Sequence, residues 1–316
     1  MHAKKVTYHL LALLVVAIWG MTFISTKVLI NNGLEPAWIF LIRFVMAYAG
    51  IWALTALKGG KTRGGKLRLW SRTFKDEAVF ILLGVSGGSL YFLTENSALA
   101  YTRASNVAFI VCTAPLLTAI FTILYRRRFH GPFAQALEPV RMNWALIAGT
   151  VLSLLGVGLL SFEGAGVQMN ARGDLLALCA AIFWGIYSLF INKMTDDYGE
   201  LFATRKVFFW GLVTIIPILA AQGGSAPSWQ QLLHGQVLWN LLFLGIVASL
   251  VCYVVWNRVM AELGNVTATD YVYLNPLFTL VGAMILLGER LTLLSAIGSA
   301  SIILGVFIAG KYNKYD

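Results

Sequence analysis

The feature that most restricts what this chain can become is a succession of long apolar runs with almost no charge inside them. Ten can be placed: Tyr8 to Ile30, Ala37 to Leu57, Glu77 to Ala98, Ala104 to Tyr125, Asn143 to Phe162, Asp174 to Lys193, Leu201 to Ala221, Val237 to Val259, Val266 to Leu287 and Leu291 to Ala309. Each has about the twenty residues that a helix needs to cross the hydrocarbon core of a bilayer. Only 12% of the 316 residues are charged, about half the share of an average soluble domain, so the chain cannot clothe a water-facing surface. Its 30 Gly and 7 Pro are scattered through apolar sequence, which excludes collagenous and disordered classes. The expected fold is an all-α integral membrane bundle of ten transmembrane helices, with little chain left for a soluble domain.

Basic residues set the expected orientation. One cluster, from Lys58 to Lys75, lies between spans two and three, and a second, Arg126, Arg127, Arg128 and Arg141, lies between spans four and five. The positive-inside rule makes both loops cytoplasmic, which puts both termini inside an inner (cell) membrane. Seventeen of the 24 basic residues then fall in cytoplasmic segments. Topology thus accounts for the net charge of +10 without a nucleic-acid partner, while the loop from Lys58 to Lys75 can touch anionic headgroups. Lys4 and Lys5 before an apolar run mimic a signal peptide, but the run continues to Ile30 with no small-residue cleavage site, so it reads as an uncleaved first helix. Cys112, Cys179 and Cys252 are isolated in apolar runs, and His2, His9, His130 and His234 sit in the tail, a helix start and loops. Neither metal nor other cofactor is expected. No Walker loop is present, so transport would be passive or gradient-driven.

The two halves repeat. A shift of 161 aligns Gly84 with Gly245, Asn96 with Asn257 and Pro115-Leu116 with Pro276-Leu277; near it, Trp19-Gly20 meets Trp184-Gly185, and Arg43 meets Arg205. The chain is read as two five-helix units, residues 1–162 and 163–316. Because five is odd, the units enter the membrane from opposite sides, the inverted arrangement that permits alternating access.

These residues resemble the drug/metabolite transporter superfamily, specifically its ten-helix EamA-like exporters. The resemblance spans nearly the whole chain and is carried by Ala17-Ile18-Trp19-Gly20, Ile182-Phe183-Trp184-Gly185, Leu274-Asn275-Pro276-Leu277, Leu287-Gly288-Glu289-Arg290-Leu291-Thr292 and the Gly298/Gly305 helix. In the first half Tyr125-Arg126-Arg127-Arg128 and a longer loop replace the Gly-Glu pair. The resemblance implies a central cavity lined by spans one, three, four, six, eight and nine, with spans five and ten together outside it. It also implies export of amino acids, other metabolites or xenobiotics.

Candidate substrate contacts follow from polar and aromatic residues at helical spacing, which either line a cavity or glue helices together. Span eight offers Tyr253, Trp256 and Asn257 beside Ser249 and Cys252, and span three offers Tyr91 and Asn96. Trp19, Trp184 and Tyr187 supply further rings, and span nine supplies Tyr271 and Asn275. Pro115 and Pro276 mark helix breaks that free backbone carbonyls, or kinks tolerated for packing. Two carboxylates, Glu95 and Asp270, are candidates for gating or proton coupling: Glu95 with Arg43 toward the outer side, Asp270 with Arg205 toward the inner. The alternative places them at the interfaces among headgroups and water. Lys27 and Lys206, near span ends, can snorkel and receive no role.

The resulting expectation is a secondary exporter of small organic metabolites, amino acids or related compounds, with small-molecule substrate, lipid and possible proton partners. A uniporter without ion coupling is the alternative. An intramembrane lipid-acting enzyme would need a nucleophile and base or a metal cluster at one depth, which the sequence does not offer.

Overall fold

The computed structural model describes residues 2–57, 69–137, 143–162, 171–223, 225–263, 271–272 and 274–313. All regular structure among them is helical. Seven helices are long and apolar enough to cross a membrane, and shorter apolar helices occupy the positions of spans five, nine and ten. Span one runs His2–Asn31 and span two Pro36–Leu57. Between them Gly33 takes φ 83°, a left-handed turn that costs glycine little, and Pro36 opens the next helix where its missing N–H is not needed.

Span three, Phe74–Tyr101, begins where the Thr73 side chain accepts from Asp76 N at 3.1 Å, with Asp76 and Glu77 favourably placed in its first turn. It is not a uniform α-helix: Val85–Ser89 forms a π-helical turn. Span eight starts at Gly235, passes through a longer π segment, Phe243–Val251, and continues to Leu263. The first π turn, displaced by 161 residues, falls inside the second.

Span four is broken. Ala104–Val111 ends at Cys112, and Ala114–Arg128 restarts with Pro115 in its first turn. Thr113 N bonds Ile110 O at 3.0 Å, and Leu116 N and Leu117 N both return to Thr113 O at 3.0 and 3.2 Å. In span nine, Leu274 N bonds Tyr271 O at 2.9 Å, and Leu277 N and Phe278 N return to Leu274 O at 3.0 and 3.2 Å, before Asn275–Leu286. The bonds match one for one at a displacement of 161 because a proline supplies no N–H and forces the helix to restart. The expected start of span nine, Val266 to Asp270, and Tyr273 lie outside the described residues.

The remaining helices are Trp144–Phe162, Ala171–Tyr198, Glu200–Gln222 and Leu293–Asn313, at the positions of spans five, six, seven and ten. Their packing is reciprocal. Span one packs on nine and eight as span six packs on four and three, and spans two and eight pair as do seven and three. Spans five and ten hold mainly each other, where Gly156 and Gly305 admit the facing backbones at Gly298 and Gly149 and Ser153 Oγ donates to Ile302 O at 3.3 Å. Small residues at such a seam allow the close approach on which helix association in lipid depends. Outward-facing Leu154, Leu155, Ile285 and Leu304 are exposed, as a lipid-solvated surface requires.

Candidate functional site

Trp19 of span one meets Tyr253 and Trp256 of span eight, at centroid distances of 6.0 and 5.1 Å. Opposite them, Trp184 and Tyr187 of span six are 5.1 Å apart, and Trp184 lies 4.9 Å from Tyr91 of span three. The Tyr187 ring fills the space that a side chain at Gly87 would need, so the glycine of the π turn sets how deeply that ring enters. Six of the ten rings and amides expected to contact substrate are thus gathered on four central helices.

Between these aromatic groups lie two buried charges. Arg43 is 5% exposed and Glu95 4%. The Arg43 Nε donates to Ser249 Oγ at 2.6 Å, and its guanidinium lies 4.8 Å from the Phe92 ring and 5.5 Å from Phe44. The Tyr91 hydroxyl, one helical turn earlier, lies near the Glu95 carboxylate, and Arg43 is within its electrostatic reach. Among the described residues no direct ion pair joins the two: Arg43 is held by the Ser249 hydroxyl, Glu95 stands near that of Tyr91, and the two charges attract each other without direct contact. Charges this deep are costly in a membrane and are kept where they have work to perform.

The Trp19 indole occupies a carbonyl that the π segment releases. Cys252 N bonds Val247 O, five residues back; on return to α spacing the next carbonyl, Ala248 O, loses its helical donor. Trp19 Nε1 donates to it at 3.1 Å. In span three Leu90 N likewise bonds Val85 O, which releases Ser86 O. Yet Trp184, the counterpart of Trp19, packs on Tyr91 and Tyr187 instead.

Other expected contacts are more dispersed. Asn96 Nδ2 donates to Pro36 O at 3.1 Å, and its Oδ1 is buried without a protein partner, as is Asn275 Oδ1 beside Gly20. Tyr271 bonds His9 at 2.8 Å, ten residues from Trp19 and hence about 15 Å along span one. Arg205 lies 4.6 Å from the Trp52 ring and 5.1 Å from Phe202, away from the central rings; its expected partner Asp270, like the Asn257 side chain, is outside the described residues. No group of three His, Cys, Asp or Glu among the described residues could hold a metal.

Two lysines given no role in the sequence are structural ties. Lys27 donates to Leu99 O and, at 3.0 Å, to Thr102 O at the end of span three. Beside it Glu289 accepts from Ala104 N at 2.8 Å and from Ser105 Oγ at the start of span four, and Arg103 donates to Arg290 O at 3.3 Å. Carboxylate and ammonium each sit at the helix end that their charge favours, and together they draw spans one, three, four and the segment after nine shut at one face. At the other face Lys206 is 2% exposed and pairs with Glu77, which also accepts from Trp210 Nε1 at 2.7 Å. The hint available in the sequence was a lone acid and a lone base, each just inside an apolar run.

The chain matches the EamA-like transporter family over residues 6–162 and 171–310. An uncharacterised transporter of Archaeoglobus fulgidus is 28% identical over 305 residues, 95% of this chain and 96% of its own. A "probable amino-acid metabolite efflux pump" of Escherichia coli is 28% identical, covering 94% of this chain and 93% of its own. A "probable terminal-alkyne amino-acid exporter" of Streptantibioticus cattleyicolor is 25% identical over 94% and 91%. One solved crystal structure superposes on 99% of this chain and 100% of its own with a TM-score of 0.62 at 18% identity, a likeness of fold.

Proposed function

From the premise that this chain belongs to the EamA-like transporter family, we propose that it is a secondary exporter of amino acids or closely related metabolites. It works by alternating access between two inverted five-helix units, residues 1–162 and 163–316. The observation that carries the substrate class is the buried, separated pair Arg43 and Glu95 among aromatic rings. A zwitterion has a carboxylate for the guanidinium and an ammonium for the carboxylate, and the faces of Trp19 and Trp184 suit a cation or an apolar side chain. Asn96 Oδ1 and Asn275 Oδ1, buried without protein partners, add acceptors for the ammonium. The names of the Escherichia coli and Streptantibioticus relatives support the amino-acid class and the outward direction.

The matched π turns and proline breaks support the exchange of shape between units that this mechanism needs. The Lys27 and Glu289 ties lie on the face opposite the basic loops. With those loops cytoplasmic, the protein here is closed to the outside. Both termini are then cytoplasmic in an inner membrane, and Glu95 is the group through which a proton can couple.

The test is counterflow in proteoliposomes loaded with a mixed amino-acid pool, read by mass spectrometry with and without an imposed pH gradient. Exchange of at least one amino acid is expected. Exchange that ignores the gradient would leave a facilitator, and no exchange of any solute would sink the transporter reading.

A further inference from the structure

The π turns of spans three and eight present different residues at one equivalent place. At a displacement of 161, Gly87 in Val85–Ser89 corresponds to Ala248 in Phe243–Val251. The helices that face them differ as well. Three residues after Trp184 of span six stands Tyr187, whereas three residues after Trp19 of span one stands Thr22. Thr22 Oγ1 donates to Trp19 O of its own helix at 2.6 Å, and the Trp19 indole covers Ala248 through its 3.1 Å bond to that carbonyl. In the other half the ring over the π turn is that of Tyr187, and Trp184 packs on Tyr91. One half thus pairs threonine with alanine and the other pairs tyrosine with glycine.

The contact at Gly87 is close. A Cβ there would lie 2.5 Å from Tyr187 Cγ and 2.7 Å from its Cε2, where non-bonded carbons prefer about 3.5–4.0 Å. A single methyl would drive the ring back by about 1 Å, and Cγ, which lies on the axis of ring rotation, gains nothing from a turn of the ring. Tyr187, Trp184 and Tyr253 stand on central helices yet are only partly buried. Tyr187 is also within electrostatic reach of Tyr253, which belongs to the opposite half of the chain. A ring lifted off span three therefore moves into the space shared with Trp184 and Tyr253.

Resting on the amino-acid exporter reading above, we propose that Gly87 and Tyr187 set the size of side chain that the transporter accepts. With the ring sunk onto Gly87, the face of Trp184 stays open to a large apolar side chain. A ring held further out takes up that volume and admits small side chains only. Gly87 is a positioning residue, acting through Tyr187, while the contacts of Arg43 and Glu95 with the charged groups of the substrate are common to every amino acid accepted. One methylene more or less in an apolar pocket changes discrimination by about 10–200-fold, the scale expected for a methyl placed beneath the ring.

The test is counterflow by the full-length protein in proteoliposomes holding a mixed amino-acid pool, with the exchange of each amino acid compared with its side-chain volume. Gly87→Ala is expected to lower exchange of the largest accepted amino acid about 10-fold or more relative to the smallest. Adding Tyr187→Thr, which reproduces the pair formed by Thr22 and Ala248, should bring that ratio back to the wild-type value or above it. An equal loss across the pool in Gly87→Ala, or a double variant no better than the single one, would overturn the proposal. If Gly87→Ala does not fold, Tyr187→Thr alone decides: a rise in exchange of large amino acids relative to small ones supports the proposal, and an unchanged ratio overturns it. Absence of any amino-acid exchange by the wild type would overturn the exporter reading and this one together, whereas exchange with unaltered selectivity in the variants overturns this one alone.

Discussion

Arg43 and Glu95 stand apart from the other charges because both are buried among the central rings, Arg43 on the Ser249 hydroxyl, and no direct ion pair joins them. A substrate that bridged them would gain two charge-assisted contacts in a medium of low dielectric, and removing one partner of such a buried arrangement costs about 3–5 kcal/mol. Glu95→Gln is accordingly expected to lower exchange in proteoliposomes by about 100-fold or more and to flatten its pH profile. Arg43→Lys should not restore activity, since an ammonium cannot keep the Ser249 bond and the planar contact with Phe92 together. Trp19→Phe keeps a ring but strands Ala248 O, a loss of about 1–3 kcal/mol; Trp184→Phe removes no corresponding bond. Thermal unfolding should therefore separate the two tryptophans, and equal losses would contradict the asymmetry. Residue types at central positions were legible in sequence from their spacing. Their partners were not: Trp19 and Trp184 are equivalent by repeat, and which one holds a carbonyl depends on the conformation adopted. Lys206 misled for a simpler reason, because a flexible stem near a span end can snorkel unless, as here, a carboxylate and three indole or phenyl rings surround it.

At the scale of elements, hydropathy located the apolar segments well and their interiors poorly. The long runs place helices within a few residues of those observed, as with Ala37 to Leu57 against Pro36–Leu57. The breaks before Pro115 and Pro276 were also readable, because the lost N–H is a property of the residue itself. The π turn in span three had a faint signal in Val85-Ser86-Gly87-Gly88-Ser89, a stretch that holds α-helix weakly. The one in span eight, Phe243–Val251, is strongly apolar and gave none; there the extra residue is stabilised by a tryptophan from another helix. Span junctions at glycine differ in tolerance. A Cβ at Gly20 would lie 2.7 Å from Phe278 Cβ and 3.0 Å from Asn275 O, whereas one at Gly185 would approach the Phe121 ring at 3.0 Å. Gly20→Ala should cost about 1–3 kcal/mol through overpacking and impair exchange at the restart of span nine. Gly185→Ala should cost less, since the Phe121 ring can tilt; comparing Tm and counterflow of the two variants checks this.

At the scale of the whole molecule, the reciprocal packing of the two halves was anticipated by the shift of 161 residues, but the departures from it carry the information about state. Glu289 joins the start of span four at one face; in the first half the equivalent place has Arg126 to Arg128 instead of a Gly-Glu pair. Glu289→Gln removes the charge that caps Ala104 and Ser105 and should shift the population toward the state open at that face. The measure is labelling of Tyr91→Cys, in a background lacking the native cysteines, by an impermeant maleimide applied from that side: labelling should rise several-fold, and an unchanged rate would mean that this tie does not set the equilibrium. The seam of spans five and ten has a different kind of consequence, one of timing. Ser153 bonds a carbonyl 149 residues further along the chain, which takes about 7–30 s to synthesise at ~5–20 residues per second. For that interval a groove of glycines and a hydroxyl faces lipid on the nascent chain, so assembly of this protein has a built-in waiting period in which span five must be sheltered by other membrane components until its mate arrives.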